Sequence, residues 1–167
     1  KTSKSFFELG DCDSSNVYYK FDRLILNRNQ EFTSYSVADA TTIICDFAFL
    51  KAKTLERVTL PQNLKAIGKG AFQGCSNLKE IHIPEGVEEI GSYAFYKCPD
   101  LETIRISEGV KVIGFSAISR NANLGKVYLP KSLQTIDSYV LMECPNLEGF
   151  YGNEEFHTPD NRLLISY

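Results

Sequence analysis

A period of 23 residues constrains this chain more than any other feature of its sequence. Ile44, Ile67, Ile90, Ile113 and Ile136 recur at that spacing without an insertion. Four positions on stand Ala48, Ala71, Ala94, Ala117 and Val140, followed by Phe49, Phe72, Phe95, Ile118 and Leu141. Leu55, Leu78, Leu101, Leu124 and Leu147 form another column, then Val58, Ile81, Ile104, Val127 and Phe150. Pro61, Pro84 and Pro130 share one register, with Ser107 in the fourth place. Self-similarity of this kind marks a solenoid. Five rungs run from Ile44 to Thr158, and Phe32, Tyr35 and Val37 form a half-rung before them. One rung turns inward about six apolar side chains, too few to offset the entropy of ordering its backbone. Stacked rungs bury one another's faces, so the array is the unit that folds.

Each rung has a local reading. Leu78 to Pro84 alternates around Ile81 and ends in proline, which stops a strand. Glu85-Gly86 reads as a turn and Val87 to Ile90 as a second extended stretch. Residues 92–97 are expected to make one or two helical turns, with Ser92 as N-cap. Equivalent strands then align in parallel and in register. They form a continuous parallel sheet on one face, with turns and short helices on the other.

The ends depart from the period. Val17 to Leu26 reads as a β-hairpin turning near Asp22. Thr158-Pro159-Asp160-Asn161 is a strong turn before the strand-like Arg162-Leu163-Leu164-Ile165. The expected organisation is a hairpin or capping segment over 1–31, a repeat array over 32–158, and a C-terminal hairpin strand or the start of a further segment over 159–167. Either such hairpins punctuate a longer array, or they cap the open sheet ends. An uncapped edge favours end-to-end self-association.

Composition excludes several classes. Lys plus Arg is 18 and Asp plus Glu is 21, a net charge of −3, which leaves no electrostatic footprint for nucleic acid. The longest apolar runs, such as Leu24-Ile25-Leu26, cannot cross a bilayer, so no transmembrane segment is expected. The chain begins at Lys1, which reads as a mature product whose export signal has been removed. The five cysteines include no CxxC pair, and two histidines leave little for a metal site. Cys75 and Cys98, one period apart, read as a column of buried thiols. A disulfide between them stays open as an alternative, requiring Cα atoms about 4.4–6.8 Å apart.

The motifs that suggest chemistry are weak. Gly86 to Gly91 and Gly109 to Gly114 have P-loop spacing but lack the lysine that must follow. Both fall at one repeat register, so the repeat accounts for them. A Cys–His pair at His82 would need an outward cysteine. Acid/base pairing of Glu80 with Glu102, or of Glu88 with Glu89, would need a pocket that a shallow sheet does not provide. The expectation is therefore a non-enzymatic chain with no cofactor and no metal.

The outward positions of the longer strands are the candidate site. They are Arg57 and Thr59, Glu80 and His82, Thr103 and Arg105, Lys126 and Tyr128, Gly149 and Tyr151. At about 4.8 Å per strand they make a ladder roughly 20 Å wide. A preordered strip suits protein recognition, with Arg57, Arg105, Tyr128 and Tyr151 as anchors. A carbohydrate module stacking sugars on Tyr128 and Tyr151, or a structural spacer, are the other readings. The opposite face, with Lys69, Gln73, Tyr93, Tyr96 and Lys97, is a competing patch.

The run Ile67-Gly68-x-x-Ala71-Phe72-x-x-Cys75-x-Asn77-Leu78-x-x-Ile81-x-Ile83-Pro84 resembles the BspA-like leucine-rich repeat of bacterial surface proteins. The rung of Ile90 repeats it nearly column for column. Other rungs depart at the cysteine or phenylalanine columns, with Ala52, Asn121, Ile118 and Leu141. The resemblance implies an α/β leucine-rich-repeat fold wound as a right-handed solenoid. It also implies a place at the cell surface or outside the cell, and a role in adhesion or protein binding, a host extracellular matrix protein being one such partner.

Overall fold

The computed structural model describes residues 32–152 and three strands before them, β1 (Asp11–Cys12), β2 (Val17–Lys20) and β3 (Arg23–Asn27). The longer strands of the rungs are β4 (Ser34–Ser36), β6 (Arg57–Thr59), β8 (Glu80–Ile83), β10 (Thr103–Ile106), β12 (Lys126–Tyr128) and β14 (Gly149–Tyr151). Between them lie two-residue strands, β5 (Ile43–Ile44), β7 (Ala66–Ile67), β9 (Glu89–Ile90), β11 (Val112–Ile113) and β13 (Thr135–Ile136). Partners are parallel and one period apart: Ile104 faces Ile81 on one side and Val127 on the other. The half-rung joins in the same register, Tyr35 against Val58.

The single sheet expected from the longer strands is divided. β14, β12, β10 and β8 form four strands, and β4 with β6 form two. Lys79 N–H still donates to Glu56 O at 3.2 Å beside the break. The second extended stretch, read only as extended from sequence, builds a sheet of its own through β5, β7, β9, β11 and β13. β3 adds to this sheet in parallel, with Leu24 against Ile44, and pairs antiparallel with β2. The N-terminal hairpin therefore prolongs the short-strand sheet. The expected C-terminal hairpin lies outside the described residues.

Residues 92–97 form turns, and no helix occurs among the described residues. The reason is visible in the backbone. Tyr93 and Lys97 take left-handed φ values of 60° and 58°, as do their counterparts Phe47 and Lys51 at 59° and 57°. Alternate amides leave the segment altogether: Tyr93 N–H donates to Phe115 O, Phe95 N–H to Ala117 O, and Lys97 N–H to Ser119 O, at 3.0, 2.7 and 3.1 Å. The amides between them close tight turns, Ala94 to Gly91 O and Tyr96 to Tyr93 O. Bonding to the next rung satisfies donors that a helix would have used internally. No helix among the described residues is long and apolar enough to cross a membrane.

The predicted columns are the core. Leu55, Leu78, Leu101 and Leu124 are fully buried, and Leu147 packs against the same cluster. Phe49, Phe72 and Phe95 stack with ring centroids 4.9 and 5.3 Å apart and planes within 6°. The glycines after Ile67, Ile90 and Ile113 allow rungs to approach. A Cβ on Gly91 would lie 2.7 Å from Lys69 N and 2.8 Å from Gly68 C. This contact, rather than phosphate binding, explains the second glycine of each P-loop-like spacing.

Candidate functional site

Strand alternation sends the side chains flanking each middle residue to one surface. Register then stacks them into two columns. Arg57, Glu80, Thr103, Lys126 and Gly149 make one, and Thr59, His82, Arg105, Tyr128 and Tyr151 the other, with direct pairing from β8 to β14. Most are exposed; Thr103, Tyr128 and Gly149 are half-buried. Arg57, Thr59, Glu80, His82, Thr103 and Arg105 line a shallow depression of about 320 Å³ at the break between β6 and β8. Lys126, Tyr128 and Tyr151 continue the strip beyond it.

Three of the predicted anchors form one stack. The Arg105 guanidinium lies 4.2 Å from the centroid of the Tyr128 ring. Tyr128 and Tyr151 stack at 5.0 Å with planes 27° apart. Such contacts each contribute roughly 0.5–1.5 kcal/mol and hold the side chains before any partner arrives. Both faces of Tyr128 are therefore occupied, one by Arg105 and the other by Tyr151. Arg57 lies in the depression, apart from this stack.

Ser107 belongs to the site and was not among the residues singled out from sequence. Its Oγ lies 2.9 Å from His82 Nε2. It occupies the register that Pro61, Pro84 and Pro130 hold in other rungs, and its N–H donates to Ile83 O at 3.1 Å, which proline could not do. The break in the proline column was the available signal. No cysteine of the repeat column completes a Cys–His pair, because Cys75, Cys98 and Cys144 are buried.

The cysteine column has a different role. Cys75 Sγ–H donates to Phe49 O, Cys98 to Phe72 O and Cys144 to Ile118 O, at 3.2, 3.2 and 3.4 Å. Each reaches back 26 residues. Asn121, which interrupts the column, keeps the same bond, Nδ2 to Phe95 O at 3.0 Å. It also accepts from Cys98 N–H at 2.8 Å. Burial raises the Cys75 thiol well above its ordinary value, and pushes Cys98 up to about 12 and Cys144 to about 11. The thiols thus stay protonated and able to donate. Cys75, Cys98 and Cys144 are free thiols, so Cys75 and Cys98 form no disulfide here.

The competing patch on the turn side also assembles. Tyr93 meets Tyr96 edge-on at 5.4 Å and Phe115 at 5.5 Å. Phe115 continues the contact to Tyr139 at 5.5 Å. Lys97 Nζ lies 5.4 Å from the Tyr96 ring, and Lys69 is exposed nearby in the same repeat segment.

Comparison with known proteins agrees with this architecture. The family described as BspA type leucine rich repeat region matches residues 27–162 in six copies. A Treponema pallidum leucine-rich repeat protein is 27% identical with a TM-score of 0.73, over 82% of this chain and 64% of that one. A leucine-rich repeat protein from Eubacterium ventriosum is 26% identical with a TM-score of 0.74, over 82% of this chain and 38% of that one. A leucine-rich cell surface protein from Faecalibacterium prausnitzii is 26% identical with a TM-score of 0.51, over 75% of this chain and 42% of that one. The chain thus spans less than two thirds of each. No curated protein sequence gives a significant match. With the repeat matched over most of its length, the chain belongs to the BspA type leucine-rich repeat family.

Proposed function

We propose that this chain is a non-catalytic binding module of an exported bacterial protein, gripping a protein partner through the exposed strip of its longer strands. The observation that carries this reading is the stack of Arg105, Tyr128 and Tyr151 beside the depression at Arg57 and Glu80. Arginine and tyrosine are the residue types that dominate interface energetics. Here they are held rigidly on strands, so little side-chain entropy is lost on binding. In this reading the partner is an extracellular matrix protein of a host. A surface location is supported by the similar protein from Faecalibacterium prausnitzii, which is named as a cell surface protein. A sugar-stacking role for Tyr128 is disfavoured, since its two faces are covered. The array is a right-handed solenoid in this reading.

The test is the triple substitution Arg105→Ala, Tyr128→Ala and Tyr151→Ala, measured by biolayer interferometry against a panel of purified matrix proteins. Loss of at least about 100-fold in affinity is expected, since anchors of this type cost about 2 kcal/mol or more each. Unaltered affinity for a matrix protein that binds the unsubstituted chain would refute the strip assignment.

A further inference from the structure

A second, chemically different site lies on the turn side. Lys51, Lys53, Lys97 and Arg120 line an open groove of about 500 Å³, with Gly74 and Pro99 in its walls. These residues come from four successive rungs, so the groove runs roughly 14 Å along the stacking direction. No acidic residue lines it, although the chain as a whole carries a charge of −3. From the groove's position and charge we infer that it binds a sulfated polysaccharide, an anion distinct in kind from the protein partner of the strip.

The gap is built by a register exception. Lys51, Gly74, Lys97, Arg120 and Glu143 occupy one repeat position. All five have left-handed φ, between 57° and 74°. Glycine adopts that conformation freely, whereas each lysine or arginine there costs roughly 1 kcal/mol or more. Gly74 withholds a side chain between two lysines, and Lys51 leans into the space, its Cγ 3.2 Å from where a Cβ would stand. Two lysines elsewhere find acids one period away, Lys79 with Glu56 at 3.4 Å and Lys111 with Glu88 at 2.9 Å. Among the described residues no ion pair involves Lys51, Lys53 or Lys97. Arg120 is aimed by Glu143 at 2.9 Å and sits 5.7 Å from the same Tyr96 ring that holds Lys97. Gathered like charges are stabilised by an anion that neutralises them.

The backbone selects among anions. Lys51 N–H donates to Gln73 O, Gly74 N–H to Tyr96 O and Lys97 N–H to Ser119 O, at 2.8, 2.9 and 3.1 Å. These amides are committed between rungs, which leaves them unable to pair with the main chain of an acidic peptide. Recognition falls to side-chain charge, which favours a ligand bearing anionic groups densely along its length. A single sulfate could not reach cations set on three rungs across a span of four.

The experiment is calorimetric titration with sulfated dextran, with neutral dextran and polyglutamate of matched length as controls. The variant is Lys51→Gly with Lys97→Gly. Because Gly74 already fills this register, both glycines suit the backbone, and thermal melting should show an intact fold. Lys65→Gln with Lys131→Gln removes the same charge elsewhere. The inference expects the native chain to bind sulfated dextran but not neutral dextran, and to lose affinity at least about tenfold between about 50 and 200 mM salt. It expects a further loss of at least about tenfold in the glycine variant and near-native binding in the glutamine variant. Equal weakening in both variants, no binding of sulfated dextran, or polyglutamate binding as tight would overturn it.

Discussion

Asn121 offers a demanding test of how the rungs are joined. Its side chain is fully buried and serves three backbone groups, accepting from Cys98 N–H and donating to the carbonyls of Phe95 and Ile118. In Asn121→Ala the Phe95 carbonyl and the Cys98 amide lose the partners just described. Ile118 O keeps the Cys144 thiol at 3.4 Å. A buried polar group left unpaired costs roughly 1–3 kcal/mol. Part is recoverable, because the equivalent amide in the previous rung, Cys75 N–H, donates to Phe72 O at 3.2 Å, and Cys98 can relax the same way. The net loss should be about 2–3 kcal/mol. Asn121→Cys instead restores the donor used in neighbouring rungs and should cost under about 1 kcal/mol. The assay is amide hydrogen exchange at Cys98 together with urea unfolding, since a solenoid can open locally. Exchange should accelerate about 30- to 150-fold in the alanine variant. Equal damage in both variants, or an alanine variant within about 0.5 kcal/mol of the parent, would refute the donor-column reasoning.

Two glycines should respond in opposite ways. Gly91→Ala should destabilise by about 2 kcal/mol or more, because its methyl meets backbone that must shift. Gly125→Ala, whose Cβ would meet nothing closer than Glu148 Oε1 at 3.6 Å, should be neutral or stabilising by about 0.4–1 kcal/mol; urea midpoints check both. Glu108 accepts the amides of Lys131 and Ser132 at 3.0 Å each, and the bond from Lys131 leads in holding its carboxyl below the usual range. Its stabilisation is therefore present above the unfolded carboxylate value and lost as pH falls through the lower folded value. Glu108→Gln should flatten that acid-side slope in thermal melts recorded across pH.

The core was legible because burial acts on every rung at the same place. Isoleucine, alanine, phenylalanine and leucine columns at period 23 could only mean stacking, and all became interior except Ile136 and Leu147, which pack half-buried against the core at the last rung. What escaped detection depended on backbone conformation. Tyr93 and Lys97 carry no glycine to signal left-handed φ, so residues 92–97 looked helical although their amides bond to the next rung. The cysteines read as small apolar fillers, while their shared work with Asn121 is donation to a carbonyl 26 residues back. The strip positions followed from strand alternation alone. The stack at Tyr128 could not, because it depends on rotamers. The basic groove was written in one register from Lys51 to Glu143, yet its meaning appears only when Gly74 is seen as a gap.

Removal of one whole rung tests the stacking claim most directly. Deleting residues 76–98 joins Cys75 to Pro99, as Cys98 joins it now, and takes out 23 residues. Far-ultraviolet circular dichroism during urea unfolding should show a cooperative β-rich chain, somewhat less stable than the parent. Deleting residues 76–97 removes one residue fewer and puts every later column out of line, so that chain should lose its cooperative transition. Similar transitions for the two deletions would contradict the account.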